Sequence, residues 1–119
     1  MPTFRDLLTA TKAEIRETDP AGAEQARAAG AVLLDVREPD EYQDAHVSGA
    51  VLVPLATVPD NVERFRIDGP VHVICKSGGR SARAVEFLRG QGIDAVNVAG
   101  GTLAWLETGR VHVTGLDPA

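Results

Sequence analysis

A single cysteine, Cys75, holds all the thiol chemistry of this chain. One cysteine excludes an intramolecular disulfide and a cysteine-rich metal site. It also leaves no resolving thiol within the chain, so whatever forms on that sulfur must pass to another molecule. The three histidines, His46, His72 and His112, show no metal-ligand spacing, and none is placed in sequence as a base for Cys75. No metal and no cofactor are therefore expected. Long apolar runs are missing too. Nothing approaches the ~20 residues of a membrane span. The start, Met1-Pro2-Thr3-Phe4-Arg5-Asp6, lacks a signal-peptide core. The expectation is a cytoplasmic protein with no membrane partner. Basic excess is absent as well: the net charge of −5 argues against a nucleic-acid partner. There is no internal repeat, low-complexity segment or linker.

What is present is an ordinary globular composition, 44% hydrophobic and 24% charged in 119 residues, enough for one domain with one core. Phe4, Leu7, Leu8 and Ile15 at helical spacing predict an N-terminal helix over about 3–14. The domain core spans about 15–109, and a tail covers 110–119. A short strand is expected at Ile15–Thr18. Asp19-Pro20 opens a helix over Ala21–Ala29 that Gly30 ends. Ala31–Val36 reads as a central strand, Glu38–Ala45 as a short polar helix started by Pro39, and Val51–Val53 as a strand stopped by Pro54. A weak helix over Asp60–Phe65 leads to the turn Asp68-Gly69-Pro70. After the central loop described next, Ala95–Val98 is the last clear strand. Thr102 is placed to cap a helix running to Glu107, and the tail carries a strand at Val111–Val113 before fraying. Strands alternating with helices predict an α/β domain with a mainly parallel sheet. Ligands in such folds bind beyond the strands' carboxyl ends.

The organising stretch is Cys75-Lys76-Ser77-Gly78-Gly79-Arg80-Ser81. It follows the apolar run Val71-His72-Val73-Ile74, a buried strand, and precedes Ala82–Arg89, an amphipathic helix. Ala84, Val85 and Leu88 share one face of that helix, and Arg83, Glu86 and Arg89 spread over the other. Two adjacent glycines let successive N–H groups turn inward as an anion nest. The helix start, Arg80 and Lys76 add positive charge. A thiol in that field loses its proton easily, and the thiolate is a nucleophile. The bland alternative, an inert buried cysteine, fits a Gly-Gly-Arg loop poorly.

This loop resembles the active-site loop of the rhodanese-like sulfurtransferases: a cysteine, four loop residues, then a residue opening a helix. Leu33-Leu34-Asp35-Val36-Arg37-Glu38 with Glu41-Tyr42, His46-Val47-Ser48-Gly49-Ala50 before Val53-Pro54, and Val98-Ala99-Gly100-Gly101 with Trp105 resemble the family's other signatures, in the family's order. The resemblance covers nearly the whole chain. It implies a single rhodanese-like domain over 1–119, with a five-stranded sheet flanked by helices on both faces. It also implies a sulfurtransferase that carries sulfane sulfur on Cys75, from a donor such as thiosulfate to cyanide or a thiol. The partners would be small-molecule donor and acceptor, or a protein that accepts the sulfur.

The site residues expected beside Cys75 are Lys76, Ser77, Gly78, Gly79, Arg80, Ser81 and Arg37. Lys76 contributes field rather than contact, and Ser77, Gly78 and Gly79 act through backbone N–H groups. Arg80 has two readings, a substrate-binding charge or a helix-start residue paired with a carboxylate. Ser81 either caps the helix, the preferred reading, or donates to the sulfur. Asp35 and Arg37 point to the same side of an ideal strand, and a bracing ion pair is preferred to direct chemistry. Trp105 is expected in the core. Two other functions use similar residues. A sulfur-relay or protein-binding module would keep the cysteine. A phosphatase or arsenate reductase would need five residues between cysteine and arginine. Four lie between Cys75 and Arg80, a cradle better sized for a sulfur atom than for a tetrahedral oxyanion.

Overall fold

The computed structural model describes residues 2–9 and 16–119. Five parallel strands form its central sheet, in the order β1 (Glu17–Thr18), β6 (Ala95–Val98), β5 (Val71–Ile74), β2 (Val32–Asp35) and β4 (Val51–Leu52). The central strand β5 and its neighbour β6 are buried along their whole length, as expected of parallel strands covered on both faces. Val71 and Val73 face one apolar cluster and Ile74 the other. On the first face lie α1 (Phe4–Thr9), α4 (Gly79–Gly90) and a 3₁₀ segment, Pro59–Phe65, through Leu7, Ala84, Val85, Leu88, Val62 and Phe65. On the second lie α2 (Pro20–Ala28), α3 (Pro39–Asp44) and α5 (Gly101–Glu107), through Ala23, Tyr42 and Trp105. Each fully buried valine or leucine in these layers contributes about 1.5–3 kcal/mol. Among the described residues, no helix is long and apolar enough to cross a membrane.

Local chemistry explains most boundaries. The Asp19 carboxylate accepts from the Gly22 N–H at 2.8 Å, and Pro20 opens α2. Residues 10–15, to which the first helix was expected to extend and where Ile15 lies, are outside the described residues. The segment before Phe65 winds as 3₁₀ rather than α-helix. It is short and starts on Pro59, and such pieces favour the tighter i→i+3 bonding. Glu86, expected on the charged face of α4 opposite Ala84, Val85 and Leu88, is 5% exposed, and α1 packs against that helix.

The tail does not fray. His112–Val113 forms β7, antiparallel to β3 (His46–Val47), a second small sheet. Beyond it, the Gly115 N–H donates to the Gln43 carbonyl, and the Gly49 N–H to that of Pro118. His46, stacked on Tyr42, places Nε2 2.8 Å from the Asp117 carbonyl oxygen. The Trp105 Nε1–H donates to Val111, which fixes the ring in the core as expected.

Thr102 is not a helix cap. The cap of α5 is Gly100, and both the N–H and the hydroxyl of Thr102 donate to the Cys75 carbonyl, at 2.8 and 3.0 Å. The Leu103 N–H donates to the Lys76 carbonyl in the same way. The first turn of α5 therefore clasps the backbone that carries the cysteine. Gly101 makes this approach feasible. Its φ is +60°, and a Cβ there would lie 2.5 Å from both carbonyl oxygens, Cys75 O and Lys76 O. Gly101→Ala is expected to cost about 2–4 kcal/mol, the left-handed penalty plus overpacking against fixed backbone. A chemical-denaturation midpoint unchanged from the parent would show that this clasp contributes nothing.

Candidate active site

Cys75 directly follows β5, at the carboxyl edge of the sheet, as expected for a ligand site in this architecture. The residue is 1% exposed. The loop after it closes around the sulfur. Gly78, at φ +112°, occupies the left-handed region and is the N-cap of α4, so the helix begins at Gly79 and includes Arg80 and Ser81 in its first turn. Only one of the two glycines needs its freedom. Gly79 has ordinary helical backbone, and nothing crowds a Cβ there. The Gly78 N–H donates to Cys75 Sγ at 3.1 Å.

Ser81 does not cap the helix. It is fully buried, and its Oγ lies 3.3 Å from Cys75 Sγ. Burial pushes the thiol pKa up. The Ser81 hydroxyl and the N–H groups of Ser81, Gly78 and Ser77 pull it down, and the balance lies below the ordinary cysteine value. Uncharged donors dominate that pull, because the Arg80 guanidinium is clamped elsewhere. Its two terminal nitrogens donate to Glu41 Oε1 and Oε2 at 2.7 and 2.8 Å. The carboxylate-paired reading of Arg80 is therefore present. The Arg80 guanidinium in turn holds the Glu41 carboxyl down at about 2. Glu41 Oε1 also accepts from the Glu38 N–H, a capping-box contact that fixes α3 beneath the loop.

Arg37 and Asp35 form the expected brace. The Arg37 Nη2 donates to Asp35 Oδ2 at 2.8 Å, with the two side chains 6% and 0% exposed. The Arg37 Nε–H donates to the same carboxylate at 3.0 Å, and Nη1 and Nη2 also reach the carbonyls of Glu41 and Ala45. Removing either member of a buried pair leaves an uncompensated charge, so this brace fixes the strand end beside the loop. Lys76 and Ser77 are exposed. Lys76, Arg37, Glu41, Asp44, Leu103 and Leu106 border a cleft of about 240 Å³ between α3 and α5. Cys75 is not on its wall.

Asn97 and Glu41 belong to the site although spacing did not point to them. Asn97 is a lone polar residue in the apolar strand Ala95-Val96-Asn97-Val98, and that interruption was its only signal. It is 2% exposed, and its Oδ1 faces the Ser81 hydroxyl at 2.5 Å. Among the described residues no cluster of histidine, cysteine, aspartate or glutamate could hold a metal ion. His72, 7% exposed on β5, has no partner at Nδ1 among the described residues, and burial holds its pKa below the ordinary value.

With this site at the carboxyl edge of the sheet, the chain matches one family over most of its length: the rhodanese-like domain model spans residues 19–108. The chain belongs to the rhodanese-like domain family. It is 34% identical over 96 residues to "Thiosulfate sulfurtransferase GlpE" of Pseudomonas entomophila, covering 80% of this chain and 88% of that one. It is 38% identical over 81 residues to "Putative sulfur carrier protein YrkF" of Bacillus subtilis, covering 67% of this chain and 43% of that one. Among solved structures, the rhodanese-related protein of Thermoplasma volcanium superposes with a TM-score of 0.78 at 33% identity, over 86% of this chain and 99% of that one. The fold is thus the expected single rhodanese-like α/β domain.

Proposed function

We propose that this rhodanese-like domain is a sulfurtransferase of the thiosulfate type, with Cys75 as the sulfur carrier. The observation that carries the reading is the donor set around Cys75 Sγ, led by the Gly78 N–H at 3.1 Å and the Ser81 hydroxyl at 3.3 Å. The Cys75 thiolate attacks the outer sulfur of thiosulfate. The S–S bond of the donor breaks, its electron pair leaves with sulfite, and a Cys75 persulfide remains. The terminal sulfur then carries the charge, and the inward N–H groups of the same loop stabilise it. Cyanide or a thiol attacks that terminal sulfur and returns the Cys75 thiolate. Because the thiol is deeply covered, a slim terminal sulfur suits it better than a bulky ester. Ser77, Gly78, Gly79 and Ser81 serve the sulfur through their N–H groups or hydroxyl, Lys76 and Arg80 through field, and Arg37 through its brace. Such a free reactive thiol suits the reducing cytoplasm.

A second reading is favoured by the likeness to a putative sulfur carrier: the persulfide is handed to a protein rather than to a small thiol. Both readings share the first step. Intact mass after incubation with thiosulfate is expected to show a gain of one sulfur on Cys75, reversed by dithiothreitol or cyanide. An unmodified Cys75 under these conditions would refute thiosulfate as donor. Loading with thiosulfate but no release to cyanide or small thiols would favour the protein relay.

A further inference from the structure

We propose that Glu17 and Asn97 act as positioning residues that decide where the single hydroxyl proton of Ser81 points, and thereby how firmly the Cys75 thiolate is held before a substrate arrives. This deepens the reading of Cys75 as the reactive thiol and rests on it. The Ser81 hydroxyl has one proton and three acceptors in reach: Asn97 Oδ1 at 2.5 Å, the Gly78 carbonyl at 3.2 Å and Cys75 Sγ at 3.3 Å. Asn97 does not choose its orientation freely. Its Nδ2 donates to Glu17 Oε2 at 2.9 Å, with a longer contact to the Gly78 carbonyl. An ionised carboxylate only accepts, so Glu17 demands the NH₂ end of the amide and turns Oδ1 toward Ser81. In that arrangement the shortest bond takes the Ser81 proton toward Asn97. The serine oxygen then presents lone pairs to the sulfur and favours the protonated thiol.

When the sulfur ionises, the Ser81 proton swings to it and the bond to Asn97 is lost. Ser81 thus serves the thiolate at the expense of Asn97. Turning the amide over would remove that competition, because Nδ2 would then donate to the Ser81 oxygen and leave the hydroxyl proton to the sulfur. The turned amide needs a donor at position 17, which glutamate is not and glutamine is. Glu17 is exposed on the edge strand β1, so this control comes from the protein surface into a buried site.

The test is the pH profile of Cys75 alkylation by iodoacetamide, which needs no sulfur transfer. Glu17→Gln is expected to lower its midpoint by about one pH unit, the effect of one added hydrogen bond to a charged sulfur. Removing a negative charge could do the same through space, so the measurement is repeated with Ser81→Ala. A proton-routing role predicts that Glu17→Gln has no effect in the Ser81→Ala background; a field effect persists there. The other charged groups around the thiol are the same in all four proteins: Lys76 beside it, Arg80 on Glu41 and Asp35 on Arg37. An unchanged midpoint in Glu17→Gln, or an equal fall with and without the Ser81 hydroxyl, overturns the proposal. A failure of sulfur transfer with the alkylation cycle as expected would instead count against the sulfurtransferase reading alone.

Discussion

Cys75→Ser is expected to leave the fold standing and to abolish sulfur transfer to the level of the uncatalysed reaction. The fold survives because a serine oxygen can also accept from the Gly78 N–H, and because the carbonyl of residue 75, not its side chain, is what Thr102 grips. The stability change should stay near the ~1 kcal/mol typical of point substitutions. The chemistry does not survive, because a hydroxyl at neutral pH is not ionised and cannot form a persulfide. Cys75 is the only cysteine, so the variant has no thiol left to substitute. Two measurements check this. Circular dichroism should match the parent, the thermal midpoint should move by only a few degrees, and both thiosulfate turnover and the mass gain after thiosulfate should vanish. Substantial turnover in a clean preparation of the variant would end the case for a cysteine-borne intermediate.

How much of this could be read from the chain depends on how local each contact is. Val71–Ile74 and Ala95–Val98 are strands at the predicted residues because apolar runs bounded by Gly, Pro and Asp leave little alternative. The Asp35–Arg37 brace was legible because its members are two residues apart. The clamp of Arg80 on Glu41 joins residues 39 apart, the Ser81–Asn97 bond 16 apart and the grip of Thr102 on Cys75 27 apart. Each is set by how β5, β6, α3 and α5 come together at one sheet edge, not by any local pattern. Ser81 and Thr102 illustrate the consequence. Both have the side chain of a good cap and stand near a helix start. In both helices, however, a left-handed glycine takes the cap position, Gly78 for α4 and Gly100 for α5. The hydroxyls are thereby freed for the cysteine: one approaches its sulfur, the other holds its carbonyl. The loop glycines were read as making the nest. They also release these two side chains to it. The expected fraying of the tail failed for a related reason. Val111 to Ala119 carries little apolar pattern, and what pins it is backbone bonding to residues 43–49, which composition does not show.

The length of the loop is the next determinant of which reaction the cysteine supports. Inserting one glycine between Gly79 and Arg80 would give the five-residue spacing of the cysteine phosphatases. The helix cannot shift register to absorb it. A shift of one residue turns an α-helix by about 100°, which would carry Ala84, Val85 and Leu88 out of the core and pull Arg80 off Glu41. The added residue must therefore bulge into the segment between Cys75 and Arg80. Ser81 keeps its place beside the sulfur, and the Gly78 N–H, now on a wider ring, moves away from it. Alkylation of Cys75 should persist, since the Ser81 hydroxyl and N–H still favour the thiolate. Transfer from thiosulfate should fall by roughly 10²–10³, the loss seen when one well-aimed donor is removed from an anionic intermediate. A gain of aryl phosphatase activity is not required, because that reaction also needs a general acid at the leaving oxygen. The measurements are thiosulfate turnover, p-nitrophenyl phosphate turnover and circular dichroism on the same preparation. A folded insertion variant that moves sulfur at the parental rate would show that ring size does not set the chemistry. The preference for a sulfur atom over a tetrahedral oxyanion would then have to come from what covers the thiol instead.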